Sequence, residues 1–249
     1  MSARRHVEHC MGTVFSFDIR EPGVEQGVLD EAVATLHDID ARYSPYRADS
    51  AVSRIASGEL AAAEADDEMR QVLADCEDWQ QRTEGWFSAY ATGVFDPSGY
   101  VKGWAIQRAS DVLRRAGSTN HCVNGGGDVQ CAGASTSTEP WRVGIVDPRN
   151  RSNLITVVAG IDIAVATSGT AERGEHIVDP HTGGPPASAL LSLTVSGHSI
   201  VECDVYATAG FAMGKAARGW LDERGIAAIG VETDGKTWST GGAPGARVT

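Results

Sequence analysis

The sequence predicts an α+β fold with mixed, largely antiparallel sheets and packed helices. Apolar residues recur at helical spacing mainly in the first half of the chain, whereas short apolar runs typical of strands fill most of the second half. Helices and strands do not alternate regularly, which argues against a doubly wound parallel sheet. A chain of 249 residues without a linker or repeat is expected to form one domain, over residues 1–249.

Each predicted element has its own local pattern. Phe15, Phe17 and Ile19 alternate on one face and predict a strand or hairpin arm. Apolar residues three to four positions apart predict amphipathic helices, and Asp234-Gly235 predicts a hairpin turn. In chain order, the candidates are a strand or hairpin over about 6–20, helices over about 24–43, 66–83 and 101–115, strands over about 121–124, 141–146, 154–158, 161–167 and 190–196, helices over about 204–213 and 215–224, and a strand over about 226–232.

The charge balance excludes some classes of partner. Lys plus Arg is 21 and Asp plus Glu is 33, which gives a formal net charge of -12. Such an acidic chain repels nucleic-acid phosphates and anionic membranes, so we expect no nucleic-acid partner. No apolar run approaches the roughly 20 residues of a membrane helix, and no signal-peptide pattern stands at the N-terminus. We therefore expect a cytoplasmic protein without membrane insertion, whose five cysteines are free thiols.

Segment 96–103, DPSGYVKG, begins just before the third predicted helix. A turn with serine and glycine before a helix presents free backbone N–H groups to an anion. Lys102 adds a positive charge in the first predicted turn, where it opposes the helix dipole, and a ligand phosphate would compensate that charge. An ordinary helix cap with a solvated lysine is the alternative that the segment leaves open.

Two further segments combine glycine with polar residues. Segment 124–128, NGGGD, allows close approach to a ligand or strand, and a purely structural turn explains it equally well. Segment 166–184 follows an apolar run, and His176 and His181 bracket Asp179-Pro180 within it. A polar loop of this length is often functional, although a lone histidine is more often a surface residue.

Asp204 and Thr208 lie four positions apart on a predicted helix, and therefore on one face. A carboxylate and a hydroxyl in this arrangement are two hard oxygen ligands suited to Mg²⁺. Asp204 is also a good N-cap residue, which needs no metal. The spacing alone leaves both interpretations open.

Together, these segments resemble the ApbE family of FAD:protein FMN transferases. In chain order, the matching segments are MGT at 11–13, YSPYRADSAVSRI at 43–55, DPSGYVKGWAI at 96–106, VNGGGDV at 123–129, WRVGIVDP at 141–148, AVATSGTAERGEHIVDPHTG at 164–183 and DVYATAGFAMG at 204–214. The resemblance covers most of the chain and implies an α+β fold. It also implies a Mg²⁺-dependent enzyme that moves FMN from FAD to a threonine or serine of a client protein and releases AMP.

The resemblance further implies roles for individual residues. The metal ligands would be Asp204, Thr208 and the backbone carbonyl of Gly99. Lys102 would contact FAD and assist its pyrophosphate. For the proton of the acceptor hydroxyl, His176 is our own candidate general base, since an unperturbed histidine has a pKa of about 6.5. The positions that match the FAD site are Met11, Tyr46, Trp86, Phe87, Ser88, Asp96, Lys102, His176 and Ile177.

The chain departs from the family in one segment of the FAD site. Family members commonly carry Gly-x-Phe-Asp-Pro-Thr after the second helix, whereas here Gly85-Trp86-Phe87 is followed by Ser88-Ala89. Many relatives are also exported lipoproteins, whereas no export signal is recognised in this sequence. The client is therefore expected in the cytoplasm or on the cytoplasmic face of a membrane protein. Two other functions stay open, an FAD pyrophosphatase and a non-catalytic FAD-binding protein. Loss of the metal ligands would favour the latter, and both Asp204 and Thr208 are present.

Overall fold

The computed structural model describes residues 3–170, 177–186 and 190–241. Its strands are β1 (Arg4–Cys10), β2 (Thr13–Ile19), β3 (His121–Gly125), β4 (Asp128–Ala132), β5 (Trp141–Asp147), β6 (Asn150–Gly160), β7 (Ala164–Gly169), β8 (Leu190–Gly197), β9 (Ala227–Glu232) and β10 (Thr237–Ser239). Its helices are α1 (Gln26–Tyr43), α2 (Ala51–Ala56), α3 (Asp67–Arg82), α4 (Ser98–Arg115), α5 (Ile200–Met213) and α6 (Ala217–Glu223).

Eight of the strands form one sheet in the order β1-β2-β3-β4-β7-β8-β9-β10. Every neighbouring pair in it is antiparallel. β5 and β6 form a separate antiparallel hairpin. The predicted α+β class with antiparallel sheets is therefore confirmed.

The larger hydrophobic core lies between the sheet and helices α1, α4 and α5. Phe15, Phe17 and Ile19, which the alternation assigned to one face, are at most 1% exposed. Small residues on α4 allow its neighbours to approach closely, since Ala105 and Ala109 are fully buried. This packing holds α4 and α5 side by side.

A smaller core lies beneath the β5–β6 hairpin. Trp141, Ile145 and Val158 of the hairpin pack with Val129 and Val165 of the large sheet. The buried indole of Trp141 donates a hydrogen bond of 2.9 Å to the backbone carbonyl of Ala132. The hairpin is thereby fixed against the sheet.

Two helix boundaries differ from the predicted ones and change how site residues are interpreted. α4 begins at Ser98, so Lys102 lies in its second turn and not in its first. α5 begins at Ile200, with Ser199 as its N-cap. Asp204 is therefore inside the helix, and the alternative that it is the N-cap is wrong. Within the described ranges, no helix is long and apolar enough to cross a membrane.

Candidate functional site

A cavity of about 580 Å³ opens where α4 and α5 meet the sheet and the hairpin. Its walls also include parts of the loops at 86–96 and 177–180. Pockets of this size hold cofactor-sized ligands. The predicted site residues that line it are Tyr46, Trp86, Phe87, Ser88, Asp96, Gly99, Lys102, Ile177, Asp204 and Thr208.

Gly103 of α4 allows the two helices to approach at the cavity. A Cβ atom at this position would lie 3.0 Å from both the Cβ of Asp204 and the backbone carbonyl oxygen of Ile200. The Gly103 N–H donates a hydrogen bond of 2.9 Å to Oδ2 of Asp204. The close approach therefore places the Asp204 carboxylate directly against α4.

Lys102 lies between two buried carboxylates. Its Nζ forms an ion pair with Oδ2 of Asp128 and lies 3.5 Å from Oδ1 of Asp204. Asp128 is 1% exposed and Asp204 is 2% exposed. Oδ1 of Asp128 accepts a hydrogen bond of 2.9 Å from the Thr167 N–H, whereas Oδ2 receives no hydrogen bond of normal geometry from the residues described. Among the described residues, the cluster thus contains two carboxylates and one ammonium group.

A second negative charge, on Asp204 beside Asp128, is energetically unfavourable in this cluster. The pKa of Asp204 is raised to about 7, mainly by burial and also by the charge of Asp128, against the opposing effects of Lys102 and the Gly103 N–H. A buried carboxylate with a raised pKa is stabilised in its charged form by an added cation. The cluster is therefore a place where a cation would be favourable.

The oxygen atoms around Asp204 fit a magnesium ion. Thr208 lies one helical turn beyond Asp204, and its Oγ1 is 3.4 Å from Oγ of Ser168. Gly99 lies close to Thr208, since a Cβ atom at position 99 would be 3.6 Å from Oγ1 of Thr208. The described residues contain no group of three His, Cys, Asp or Glu side chains that could hold a metal. Mg²⁺ commonly uses one or two carboxylates and takes its other ligands from hydroxyls, water and substrate phosphates, so the donor set fits.

Asp96 supports the start of α4. Its Oδ1 accepts a hydrogen bond of 2.9 Å from the Ser98 N–H and a second one from the Ser98 hydroxyl. Its own N–H donates to the Ala89 carbonyl at 2.7 Å. Asp96 therefore connects the loop that lines the cavity to the helix that carries Gly99 and Lys102.

An aromatic wall borders the same cavity, in the segment where the chain departs from the family pattern. Trp86 and Phe87 both line the cavity, and Phe87 is 2% exposed. The Phe87 N–H donates a hydrogen bond of 3.0 Å to Oγ1 of Thr83. The ring of His181 meets Trp86 edge to face, with ring centroids 4.4 Å apart. Tyr46 stands at the mouth of the cavity and is 88% exposed.

Of the predicted site residues that the structure describes, one is not part of this lining. Met11 lies in the turn between β1 and β2, with a positive φ of 54°. His176 lies outside the described residues. The sequence analysis did not identify two arginines of the hairpin that line the cavity, Arg142 and Arg151.

The sequence analysis also did not identify Asp128, which forms an ion pair with Lys102. Asp128 ends the NGGGD segment, and a carboxylate directly after a glycine turn could have marked it as a site residue.

The sequence is similar to those of known proteins. The family model described as "ApbE family" matches residues 11–95 and 92–230. The FAD:protein FMN transferase of Vibrio cholerae serotype O1 is 32% identical over 141 residues, which are 53% of this chain and 40% of that protein. The enzyme of the same name from Salmonella typhimurium is 28% identical over 156 residues, 57% of this chain and 45% of that protein. The matches thus span less than half of these relatives.

Solved structures share the fold over nearly the whole chain. The flavin transferase ApbE from Vibrio cholerae has a TM-score of 0.83 at 22% identity. The match covers 97% of this chain and 98% of the Vibrio cholerae chain. The ApbE protein of Thermotoga maritima has a TM-score of 0.86 at 20% identity, over 96% and 97% of the two chains. Because the family model matches most of the sequence, the chain belongs to the ApbE family.

Proposed function

We propose that this chain is a Mg²⁺-dependent FAD:protein FMN transferase. The hydroxyl of a client threonine or serine attacks the FMN-side phosphorus of FAD, and AMP leaves. The observation that supports this most is that Lys102, Asp204 and Thr208 line one cavity with an aromatic wall. Phosphoryl transfer depends mostly on positioning and charge neutralisation, which such a site can supply.

Asp204, Thr208 and the carbonyl of Gly99 are the residues that would hold the metal. When bound, Mg²⁺ would neutralise charge on the pyrophosphate. The carboxylate of Asp204 is already oriented by the Gly103 N–H at 2.9 Å. Orientation by a backbone group keeps the carboxylate in place before the substrate arrives.

Lys102 has a role that the sequence alone did not predict. Its ammonium group has three donors and no acceptor, and in this structure it lies beside Asp128 and Asp204. It therefore holds two buried carboxylates together, and it lines the cavity in which the pyrophosphate would lie. We propose that it orders the metal ligand Asp204 and contacts FAD.

The aromatic wall would hold the flavin ring. Trp86, Phe87 and Tyr46 offer faces and edges on which a planar ring system can stack. Ile177, which is 9% exposed, adds an apolar contact. His176 directly precedes Ile177, and we propose it as the general base that accepts the proton of the client hydroxyl. We also propose that the client is a cytoplasmic protein or domain.

The test is an incubation of the purified protein with FAD and Mg²⁺, with and without a protein that carries the family's Asp-Gly-x-x-Ser/Thr-x-Thr acceptor motif. Transfer yields AMP in amounts equal to the flavin that stays bound to the denatured client, seen by in-gel fluorescence. AMP and free FMN formed without any client would instead identify an FAD pyrophosphatase. FAD binding without AMP under either condition would overturn the proposed enzyme.

A further inference from the structure

Two cysteines stand opposite each other on neighbouring strands beside the cavity. Cys122 of β3 pairs with Cys131 of β4 in the antiparallel register. The Cys131 N–H donates a hydrogen bond of 2.8 Å to the Ile163 carbonyl, on the far side of β4. In an antiparallel ladder the N–H and C=O of one residue point to the same edge, so Cys122 and Cys131 form a non-hydrogen-bonded pair.

This position has the spacing that a disulfide needs. The Cα atoms of a non-hydrogen-bonded pair are about 4.5 Å apart, and disulfides join Cα atoms roughly 4.4 to 6.8 Å apart. Directly opposite side chains also project to the same face of the sheet. The two thiols can therefore be bridged without moving the strands.

The two thiols differ in their access to solvent. Cys131 is fully buried and belongs to the core beneath the hairpin. Cys122 is only partly buried and lines the cavity. The adjacent Cys122 thiol, followed by burial, raises the pKa of Cys131. Cys131 thus stays protonated beside Cys122, and an oxidant in the cavity meets Cys122 first.

The other cysteines of the chain lack this arrangement. Cys10, Cys76 and Cys203 are buried, and no cysteine stands opposite Cys10 in its strand pairing, where Thr13 is the partner. Burial raises the pKa of Cys10 to about 11 and that of Cys76 to about 12. A small oxidant is therefore expected to distinguish Cys122 from all three.

We infer that Cys122 and Cys131 form a reversible disulfide site, which a peroxide reaches through the cavity. The peroxide oxidises the Cys122 thiol to a sulfenic acid and leaves as water. Cys131 Sγ then attacks the sulfenic sulfur, the S–S bond forms, and the thiol proton leaves with the sulfenic oxygen as a second water. A dithiol reductant restores both thiols and becomes a disulfide itself.

Occupancy of the cavity controls this reaction, because a ligand there covers Cys122. This part rests on the proposed function, in which the ligand is FAD. FAD at about ten times its Kd leaves roughly a tenth of the protein empty. Disulfide formation is then about tenfold slower than in the empty protein, since only the empty fraction reacts.

The experiment treats the reduced full-length protein with hydrogen peroxide, with and without FAD, followed by alkylation in denaturant and peptide mapping. We expect the five alkylatable thiols to fall by two, and the linked peptides to contain Cys122 and Cys131. Cys131→Ser is expected to accumulate a dimedone-reactive sulfenic acid at Cys122, and Cys122→Ser to resist oxidation at Cys131. Cys10→Ala, a buried cysteine away from the pair, is the control that keeps wild-type behaviour.

The inferred disulfide site is wrong if all five thiols are retained. It is also wrong if Cys122 is oxidised further without a linked peptide, or if either cysteine is linked to another one. FAD affinity is measured separately by quenching of flavin fluorescence. If FAD binds and gives no protection, the control by occupancy is wrong. If the disulfide forms but FAD does not bind, the proposed function fails and the disulfide site stands.

Discussion

Helix α4 carries a buried polar cluster near each end, and the two clusters differ in whether their groups are satisfied. Near its C-terminal end, Oγ of Ser110 lies 2.8 Å from Nε2 of His121. Nδ1 of the same ring lies 3.0 Å from Oγ of Ser118. Near its N-terminal end, Lys102 contacts Asp128 and Asp204. The first cluster is neutral with both ring nitrogens paired, and the second contains two carboxylates and one ammonium group in the part of the chain that the structure describes.

The difference indicates which cluster serves the fold and which serves a ligand. Buried polar groups are nearly always paired, and one that is not calls for an explanation. His121 is fully buried and has its partners within 118–121 and α4. In the other cluster, Asp204 lines the cavity in which we propose that Mg²⁺ and FAD bind. We therefore expect substitutions in the Lys102 cluster to affect activity, and stability as well where they leave a buried charge without its partner, whereas those in the His121 cluster should affect stability alone.

The largest expected effect is on activity, from Asp204→Asn. Removal of the charge from the proposed metal ligand should lower Mg²⁺-dependent AMP release by at least about a thousandfold, or ~4 kcal/mol of barrier. Asp111→Asn, a partly buried aspartate further along α4 that does not line the cavity, is the matched control and should keep wild-type activity. AMP release is measured at saturating Mg²⁺ and FAD. A loss of less than about tenfold would mean that Asp204 is not a ligand.

Lys102→Met should have the next largest effect, on stability. It leaves the carboxylates of Asp128 and Asp204 buried without their cation, and loss of one partner of a buried ion pair costs about 3 kcal/mol or more. The double variant Lys102→Met with Asp128→Asn removes one of the two charges and should recover much of this loss. Urea unfolding of the apoprotein at pH 7 measures both. Stability within about 0.5 kcal/mol of wild type for the single variant would contradict the ion cluster.

Much of the fold was predictable because its signals are local. The alternation of Phe15 and Phe17 and the helical spacing of Asp204 and Thr208 follow from the periods of strands and helices. The start of α5 was also signalled, since Ser199 and Glu202 fit the S-x-x-E pattern of a capping box, and the predicted start at 204 overlooked it.

The contacts of Lys102 were not predictable in the same way. From the sequence, a ligand phosphate was expected to compensate the charge of Lys102, whereas in the structure Asp128 and Asp204 lie beside it. Asp128 is 26 positions away (128 − 102) and approaches only when α4 packs on β4. Sequence spacing carries no information on such a contact. The role of Gly103 is similar, because its missing side chain matters only where α5 crosses.

A smaller effect is expected from pH in the cluster at the other end of α4. Burial, followed by the charge of Arg114, lowers the pKa of His121 to about 4, against an opposing effect of Asp162. The unfolded chain, with a histidine pKa of about 6.5, then binds a proton that the folded protein excludes. Stability is therefore fully present above pH 6.5 and is lost as the pH falls toward 4, by about 2 kcal/mol between pH 7 and pH 5.

The check on this prediction is a comparison of wild type with His121→Asn. Carboxylates elsewhere contribute equally to both proteins, so the difference between their urea-unfolding free energies at pH 7, 6 and 5 isolates His121. We expect the variant to be less stable at pH 7 and to show a shallower decline. Parallel declines would show that His121 is not held neutral. AMP release at pH 7 should be unchanged in the folded variant.

The smallest expected effect tests how far the functional cluster extends, through the aromatic wall. His181 does not itself line the cavity but meets Trp86, which does, edge to face at 4.4 Å. Its loop is closed by Asp179, whose Oδ1 accepts from the His181 N–H at 2.9 Å and whose N–H donates to the Gly184 carbonyl at 2.8 Å. A self-supporting loop of this kind holds the His181 ring in place against Trp86.

We expect His181→Ala to weaken FAD binding by about fivefold, because an edge-to-face contact contributes about 1 kcal/mol. The rate of AMP release at saturating FAD should change little, since the metal ligands are untouched. His181→Phe keeps an aromatic edge and should restore the affinity, which a purely structural loss of the loop would not. His198→Ala, an exposed histidine that contacts the Asp162 carbonyl at 2.9 Å, is the control. Equal affinities for wild type and His181→Ala would confine the functional region to the residues that line the cavity directly.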